Sequence, residues 1–365
     1  MAINRRTFLG AAASWPWLAG CAFAIATPTI ARASGASVRS HGARGDGTTD
    51  DTDAFQQAID AAGQGGGGIV TVPAGRYLLD PLRSVRLRSG VHLQMDAAAT
   101  LLAKPNAEDR SVLLLVQDAS DVTITGGRLL GERDRHLGTT GEWGHGIQLR
   151  GAQRVTLRDI HVSNFWGDGL SVAAINPTRA NPDTAPSTDV LLERIVSLGN
   201  RRQGLTIGRS SRVRVIDCEF AGTGGTAPEA GIDIEPDTGA GAQDIEIANC
   251  RIHDNHGPGI QVWKRAHHVR IHDCTLQDNR YGVLVVGAED TSIIGNRILG
   301  NALNGVVLRK GANGATISGN HFSDNAHRMG VLARLPSLGG GVPERHVRVE
   351  PDAQGVRIGQ DNRYD

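Results

Sequence analysis

Gly231-Ile232-Asp233-Ile234-Glu235 is one copy of a pattern, glycine followed by apolar, any, apolar, that recurs along most of the chain. Before it stand Gly146-Ile147-Gln148-Leu149, Gly169-Leu170-Ser171-Val172 and Gly204-Leu205-Thr206-Ile207. After it come Gly259-Ile260-Gln261-Val262, Gly282-Val283-Leu284-Val285, Gly305-Val306-Val307-Leu308 and Gly330-Val331-Leu332-Ala333. The intervals are 23, 35, 27, 28, 23, 23 and 25 residues. A second alternating stretch follows at a nearly fixed offset, as in VTLRDIHV (155–162), VRVIDCEF (213–220) and VRIHDCTL (269–276). Alternation of period two in both marks strands with one buried face. Short strands repeating at this interval, with no helical periodicity between them, predict a solenoid whose coils stack about 4.8 Å apart. Leucine-rich repeats share the period, but their Leu-x-x-Leu-x-Leu consensus is missing, and propeller blades run to about 40 residues or more. The expected fold is all-β, a right-handed parallel β-helix, the hand following the crossover rule.

Composition agrees. Glycine accounts for 48 of 365 residues, about 13% against roughly 7% in an average protein. Collagen is excluded, because glycine does not recur every third residue and proline numbers only 14. The 38 basic and 38 acidic side chains cancel, so no bulk field favours nucleic acid as a partner. A hydrophobic content of 39% supplies a large core and excludes general disorder. In the coil register Cys218, Cys250 and Cys274 share a column with Ile160, Ile195, Asn296 and Asn320. An internal ladder is expected there, not a metal or redox centre.

Residues 1–33 read as an address. Arg5-Arg6 precede an alanine-rich apolar run that ends at Ala31-Arg32-Ala33, an arrangement that resembles a twin-arginine export signal. Leu18-Ala19-Gly20-Cys21 resembles a lipobox, which offers a lipid anchor at Cys21 as the alternative. The expected organisation is a signal at 1–33 and one β-helix domain at 34–365, with an N-terminal cap at about 38–80. The mature chain carries no expected membrane span, and the expected location is the periplasm or beyond.

The segment HGARGDGTTDDTDAFQQAIDAA (41–62), with GGGGIVTVPAGRYLL (65–79) and VRLRSGVHLQMDAAATLLA (85–103), resembles the opening of the pectate lyase-like β-helix superfamily. The resemblance implies a helix starting within Thr48–Asp53 that caps the solenoid, with Thr49-Asp50-Asp51-Thr52 offering N-cap side chains. It implies a carbohydrate bias but no particular reaction, since hydrolases, lyases, epimerases and binders share the fold. Trp166-Gly167-Asp168-Gly169 stands where polygalacturonases carry Asn-Thr-Asp-Gly, so Asp168 carries over as a catalytic carboxylate. Arg202-Gln203 replaces their Asp-Asp, and Gly144-His145-Gly146 precedes the aspartate instead of following it. The Asp-Pro-His of mannuronan epimerases is matched here only by Glu235-Pro236-Asp237.

If the glycine and the residues two and four beyond it face outward, the polar side chains concentrate in the middle coils. The densest group is Asp233 and Glu235, about 7 Å apart by strand rise. Around it stand Gln261, Trp263, Lys264 and Arg265 one coil later, Arg202 and Gln203 one coil earlier, and Trp166 and Asp168 before those. The aromatics suit the face of a sugar, and Gln261, Gln203, Arg202, Arg265 and His145 suit its polar groups. Two enzyme mechanisms for an exported protein acting on a polysaccharide follow. In a lyase, Ca²⁺ held by Asp233, Glu235 and Asp237 would neutralise a uronate, and Lys264 would abstract its proton. In an inverting hydrolase, Asp233 and Glu235, or either with Asp168, would be acid and base. A non-catalytic carbohydrate-binding β-helix is the third reading. The excursion AAINPTRANPDTAPSTD (173–189) is expected to leave the edge of the same groove as a wall or lid.

Overall fold

In the computed structural model, residues 36–176, 184–236, 241–329 and 343–365 are described. Residues 1–33, with Cys21, lie outside them, as do Asp237 and the Gly330–Ala333 repeat. The chain winds into a parallel β-helix of three sheets, two of twelve strands and one of ten. Strands pair with the equivalent strand of the next coil, and the pairings are parallel throughout.

The ten-stranded sheet carries the glycine repeat. Its register aligns Gln148, Ser171, Thr206, Asp233, Gln261, Leu284 and Val307 in one column, as the alternation predicts. Their apolar neighbours, among them Leu170, Ile207, Ile232 and Val262, are sealed in the core. Next to Val306–Arg309 in this sheet lies the strand Val347–Val349.

The glycines themselves break the expected alternation. They face inward, because the chain turns tightly there and two consecutive residues point to the core. A Cβ on Gly204 would stand 2.5 Å from the Gly231 carbonyl oxygen, and one on Gly282 would stand 2.4 Å from that of Gly305. Close stacking of backbone on backbone, coil upon coil, is what demands glycine. As a result the residue before each glycine points outward.

The internal ladder forms as the register requires. The Ile195 N–H donates to Cys218 Sγ (3.4 Å), Cys250 N–H to Cys274 Sγ (3.4 Å), Cys274 N–H to Asn296 Oδ1 (2.9 Å) and Asn296 N–H to Asn320 Oδ1 (2.9 Å). The three cysteines are free and buried. Hydrogen bonds from the Cys218 and Cys274 thiols push Cys250 well above the usual thiol range, the opposite of a reactive thiolate. A second ladder of Asn255, Asn279, Asn301 and Asn325 occupies another turn.

The capping helix spans Thr52–Gln64 and buries Phe55, Ala58 and Ile59. Its cap chemistry differs from the expectation. Asp51, at the N-cap position, makes no side-chain cap bond. Its carboxylate accepts instead from the Arg44 and Gly45 N–H groups at 2.7 and 3.0 Å, tying the preceding loop down. Among the described residues no helix is long and apolar enough to cross a membrane.

Candidate functional site

The outward residue before each glycine brings His145, Asp168 and Gln203 to the face that also bears Thr206, Asp233 and Glu235. Arg202 is the hub. Its Nη1 lies 3.3 Å from both oxygens of Asp168, and its Nη2 donates to Glu235 Oε1 at 2.6 Å. Glu142 Oε2 lies 3.5 Å from its Nε. Gln203 Nε2 donates to Asp233 Oδ2 at 2.7 Å and reaches Glu235 Oε1 at 3.3 Å. Gln261 Nε2 approaches the two Asp233 oxygens at 3.2 and 3.1 Å. Thr206 donates to Asp168 Oδ2 at 2.7 Å. The sequence reading thus names nearly the whole constellation. It misses Glu142, which lies just before the strand Trp143–Arg150 and outside the repeat pattern.

Burial sets the electrostatics. Burial pushes the Asp233 carboxyl well above the usual range, and the nearby Glu235 adds to this. Burial also raises Asp168 and Glu235, against the opposing pull of Arg202. Burial lowers Arg202 itself, but the surrounding carboxylates outweigh this and hold it above its ordinary value. Burial, reinforced by the charge of Arg202, depresses His145 to about 3. Its Nδ1 accepts the Asp168 N–H at 3.2 Å, so the ring is neutral and Nε2 carries the proton. Asp168, Asp233 and Glu235, buried near one guanidinium and a neutral imidazole, retain a proton more readily than solvated acids.

Solvent access separates the members. The side chains of Glu142, Glu235 and Arg202 are 33, 24 and 12% exposed, whereas that of Asp168 is 1% exposed. Asp233 and Gln203 are at 0%. The two contacts of Gln203 hold the facing oxygens of Asp233 and Glu235 within about 6 Å of each other. Sealed from solvent, Asp233 presents no open oxygen to a water or a sugar in this structure.

Other expectations also change. Lys264 sits in an exposed turn with its stem over Gly287, not against Asp233 or Glu235, so no contact activates it as a base. Arg265 occupies the same exposed turn, its carbonyl bonded by the Ala242 N–H. Trp166 has no free ring face for a sugar. His136 stacks on one side at 3.9 Å, Arg201 lies 3.8 Å from the ring centroid, and the indole N–H donates to Thr140 O at 3.1 Å. Trp263 is half-buried against Leu284, Val286 and Val307, with Lys310 Nζ 5.6 Å from its ring centroid. For the excursion after Ala173, residues 177–183 lie outside the described residues.

Calcium does not fit the described donors. The oxygens of Asp233 face the amides of Gln203 and Gln261, and Glu235 is engaged by a guanidinium, so N–H groups fill the positions a hard cation needs. Among the described residues no three His, Cys, Asp or Glu side chains are grouped to hold a metal ion.

Comparison with known proteins places this architecture. Residues 198–341 match the family model described as right handed beta helix region. The A-module of mannuronan C-5 epimerase AlgE6 from Azotobacter vinelandii superposes with a TM-score of 0.63 at 19% identity, covering 90% of this chain and 99% of the module. The chain is a right-handed parallel β-helix. It is also similar to the uncharacterized protein YclG of Bacillus subtilis, 30% identical over 272 residues, which are 68% of this chain and 44% of YclG. Mannuronan C5-epimerase AlgE2 of A. vinelandii is 30% identical over 265 residues, 63% of this chain and 26% of that protein. The chain thus spans less than half the length of these curated relatives.

Proposed function

We propose that this protein is an exported polysaccharide-active enzyme that cleaves glycosidic bonds on the outer face of the ten-stranded sheet by acid–base chemistry between carboxyl groups. One observation carries the reading. A solvent-reaching carboxyl, Glu235, is held in place by Arg202 Nη2 at 2.6 Å while burial raises its pKa above the usual range. Ionisable groups so perturbed on an open face are costly unless they are used.

In this reading Glu235 gives its proton to the glycosidic oxygen as the bond from that oxygen to the anomeric carbon breaks. Water supplies the new hydroxyl and loses a proton to a second carboxylate. Glu142, partly exposed and 3.5 Å from Nε of the same guanidinium, is the described residue assigned to that role. Asp168 and Asp233 act through Arg202, Gln203 and Thr206 as positioning residues. Trp263 and Gln261 border the groove.

The relationship to a mannuronan C5-epimerase favours a second reading, proton abstraction next to a uronate carboxylate leading to elimination. The arrangement serves it less well, since Arg202 is engaged by carboxylates and Lys264 is remote from them in contact. One assay separates the two. The purified protein is incubated with uronate and neutral polysaccharides, and reducing ends and ultraviolet absorbance are followed together. New reducing ends without absorbance support hydrolysis. Absorbance from unsaturated ends refutes it in favour of elimination, and binding without turnover refutes both.

A further inference from the structure

A trough of about 590 Å³ lies on a different sheet from the carboxylate cluster, across the strands Ser187–Glu193, Ser210–Ile216, Ala242–Ala248 and Ala266–His272. The register builds one wall from the outward column Leu191, Arg214, Glu246 and Arg270, continued by Ser292. The opposite wall is the row Asp189, Arg212, Asp244 and His268, whose members share the left-handed backbone conformation.

The second wall is paired within itself. Arg212 makes two parallel bonds to Asp189 at 2.7 and 2.8 Å, and His268 Nδ1 lies 3.3 Å from Asp244. The first wall is not. Glu246 spends one oxygen on Arg214 Nε at 2.7 Å and the other on His272 Nε2 at 3.2 Å. Neither Glu246 oxygen reaches Arg270 among the described residues, and its neighbour on the far side is Ser292. On this sheet Arg154, Arg158, Arg212 and Arg214 all have carboxylate partners, whereas Arg270 makes no ion pair or hydrogen bond among the described residues. The terminal nitrogens of Arg214 are likewise uncommitted. Two guanidiniums two coils apart, about 10 Å by strand spacing, therefore present unused planar donors to a trough of the size that holds a few sugar rings.

We propose that this trough is a second glycan-binding site, distinct from the carboxylate cluster, which takes the anionic groups of an acidic polysaccharide on Arg270 and Arg214. A guanidinium fork matches a carboxylate in two parallel hydrogen bonds. Two guanidiniums about 10 Å apart, with Glu246 on the coil between them, suit a polymer whose carboxylates recur at intervals and can skip the intervening coil, so a polyuronate is the expected ligand. Sulfate esters share the chemistry. The site stands independently of the catalytic reading. It would hold the polymer while another stretch reaches the other sheet.

The test is affinity electrophoresis of the whole protein, made catalytically silent by Glu235→Gln, through gels containing polygalacturonate, dextran sulfate or dextran. Retardation by polygalacturonate, an affinity loss of about tenfold or more in Arg270→Ala, and partial recovery in Arg270→Lys are expected. Arg270 is exposed and unpartnered, so its removal leaves the fold intact, which a melting curve checks. Retardation by dextran sulfate alone, lost in Arg270→Ala, keeps the site and reassigns its anion to a sulfate ester. Equal retardation by dextran, undiminished retardation of Arg270→Ala, or no retardation by either charged polymer overturns the proposal.

Discussion

Replacing Arg202 by glutamine tests whether the cluster is a balanced charge assembly. The substitution removes the cation that faces Asp168, Glu235 and Glu142 and leaves Asp168 sealed with only Thr206 and His145 beside it. Breaking a buried ion pair by deleting one partner costs about 3–5 kcal/mol. Unfolding entropy of about 2.1 cal/mol/K per residue, over roughly 330 residues, gives ~0.7 kcal/mol/K, so the melting temperature should fall by about 4–7 °C near neutral pH. The pH dependence supplies the sign. Without Arg202 the carboxyl pKa values rise further, and acids with raised folded-state values lose stability as pH climbs through those values. The deficit should therefore be largest at neutral pH and shrink on acidification, as the carboxylates become neutral in both proteins. Scanning calorimetry of the two proteins at about pH 4 and pH 7 reads both quantities. A loss below about 1 °C at neutral pH, or an equal loss at both pH values, refutes the account of Arg202 as the charge that balances the cluster.

Glu235→Gln should lower kcat/KM at least about a hundredfold while leaving the melting temperature within a few degrees, since general acid catalysis contributes about 10²–10⁴; steady-state rates on the polymer that proves to be cleaved decide it. In the native enzyme activity should decline as pH rises through the elevated pKa of Glu235, and the descending limb of the pH–rate profile should vanish in the variant's residual activity. Asp233→Asn removes a carboxyl whose raised folded-state pKa favours the fold below its unfolded value and loses that contribution as pH rises. Relative to the native protein the variant should gain stability as pH rises, and a variant that falls further behind the native protein with increasing pH would contradict the assignment. Asn279→Ala orphans the Asn255 N–H and the Ile252 carbonyl, and chemical denaturation should show a loss of about 2–4 kcal/mol. Gly282→Ala drives a Cβ against the Gly305 carbonyl at 2.4 Å and should destabilise by about 1–3 kcal/mol or more.

The solenoid was legible because each coil repeats the same local problem. Alternation turns Ile232 and Ile234 into the core and Asp233 to the opposite face of the strand, and parallel stacking copies that choice to the next coil. The cysteine–asparagine column was legible for the same reason, a fixed offset from a recurrent strand. The glycines were read correctly as markers and wrongly as outward positions, because their role depends on how closely the next coil's carbonyl approaches, a distance no single coil contains.

The candidate site divides along the same line. Sequence alone determined that Thr206, Asp233 and Gln261 would form one column with Glu235 on the same face, and it placed Asp168, Arg202 and Gln203 in the coils before them without fixing their direction. Only the tertiary structure decided their standing: Asp233 sealed, Glu235 at the surface, Lys264 turned away, Trp166 enclosed by His136 and Arg201. It also brought in Glu142 from outside the repeat. Periodicity specifies which way a side chain points. Solvation and charge pairing depend on what neighbouring coils and loops place within a few ångströms of it, and those distances arise only when the chain is wound.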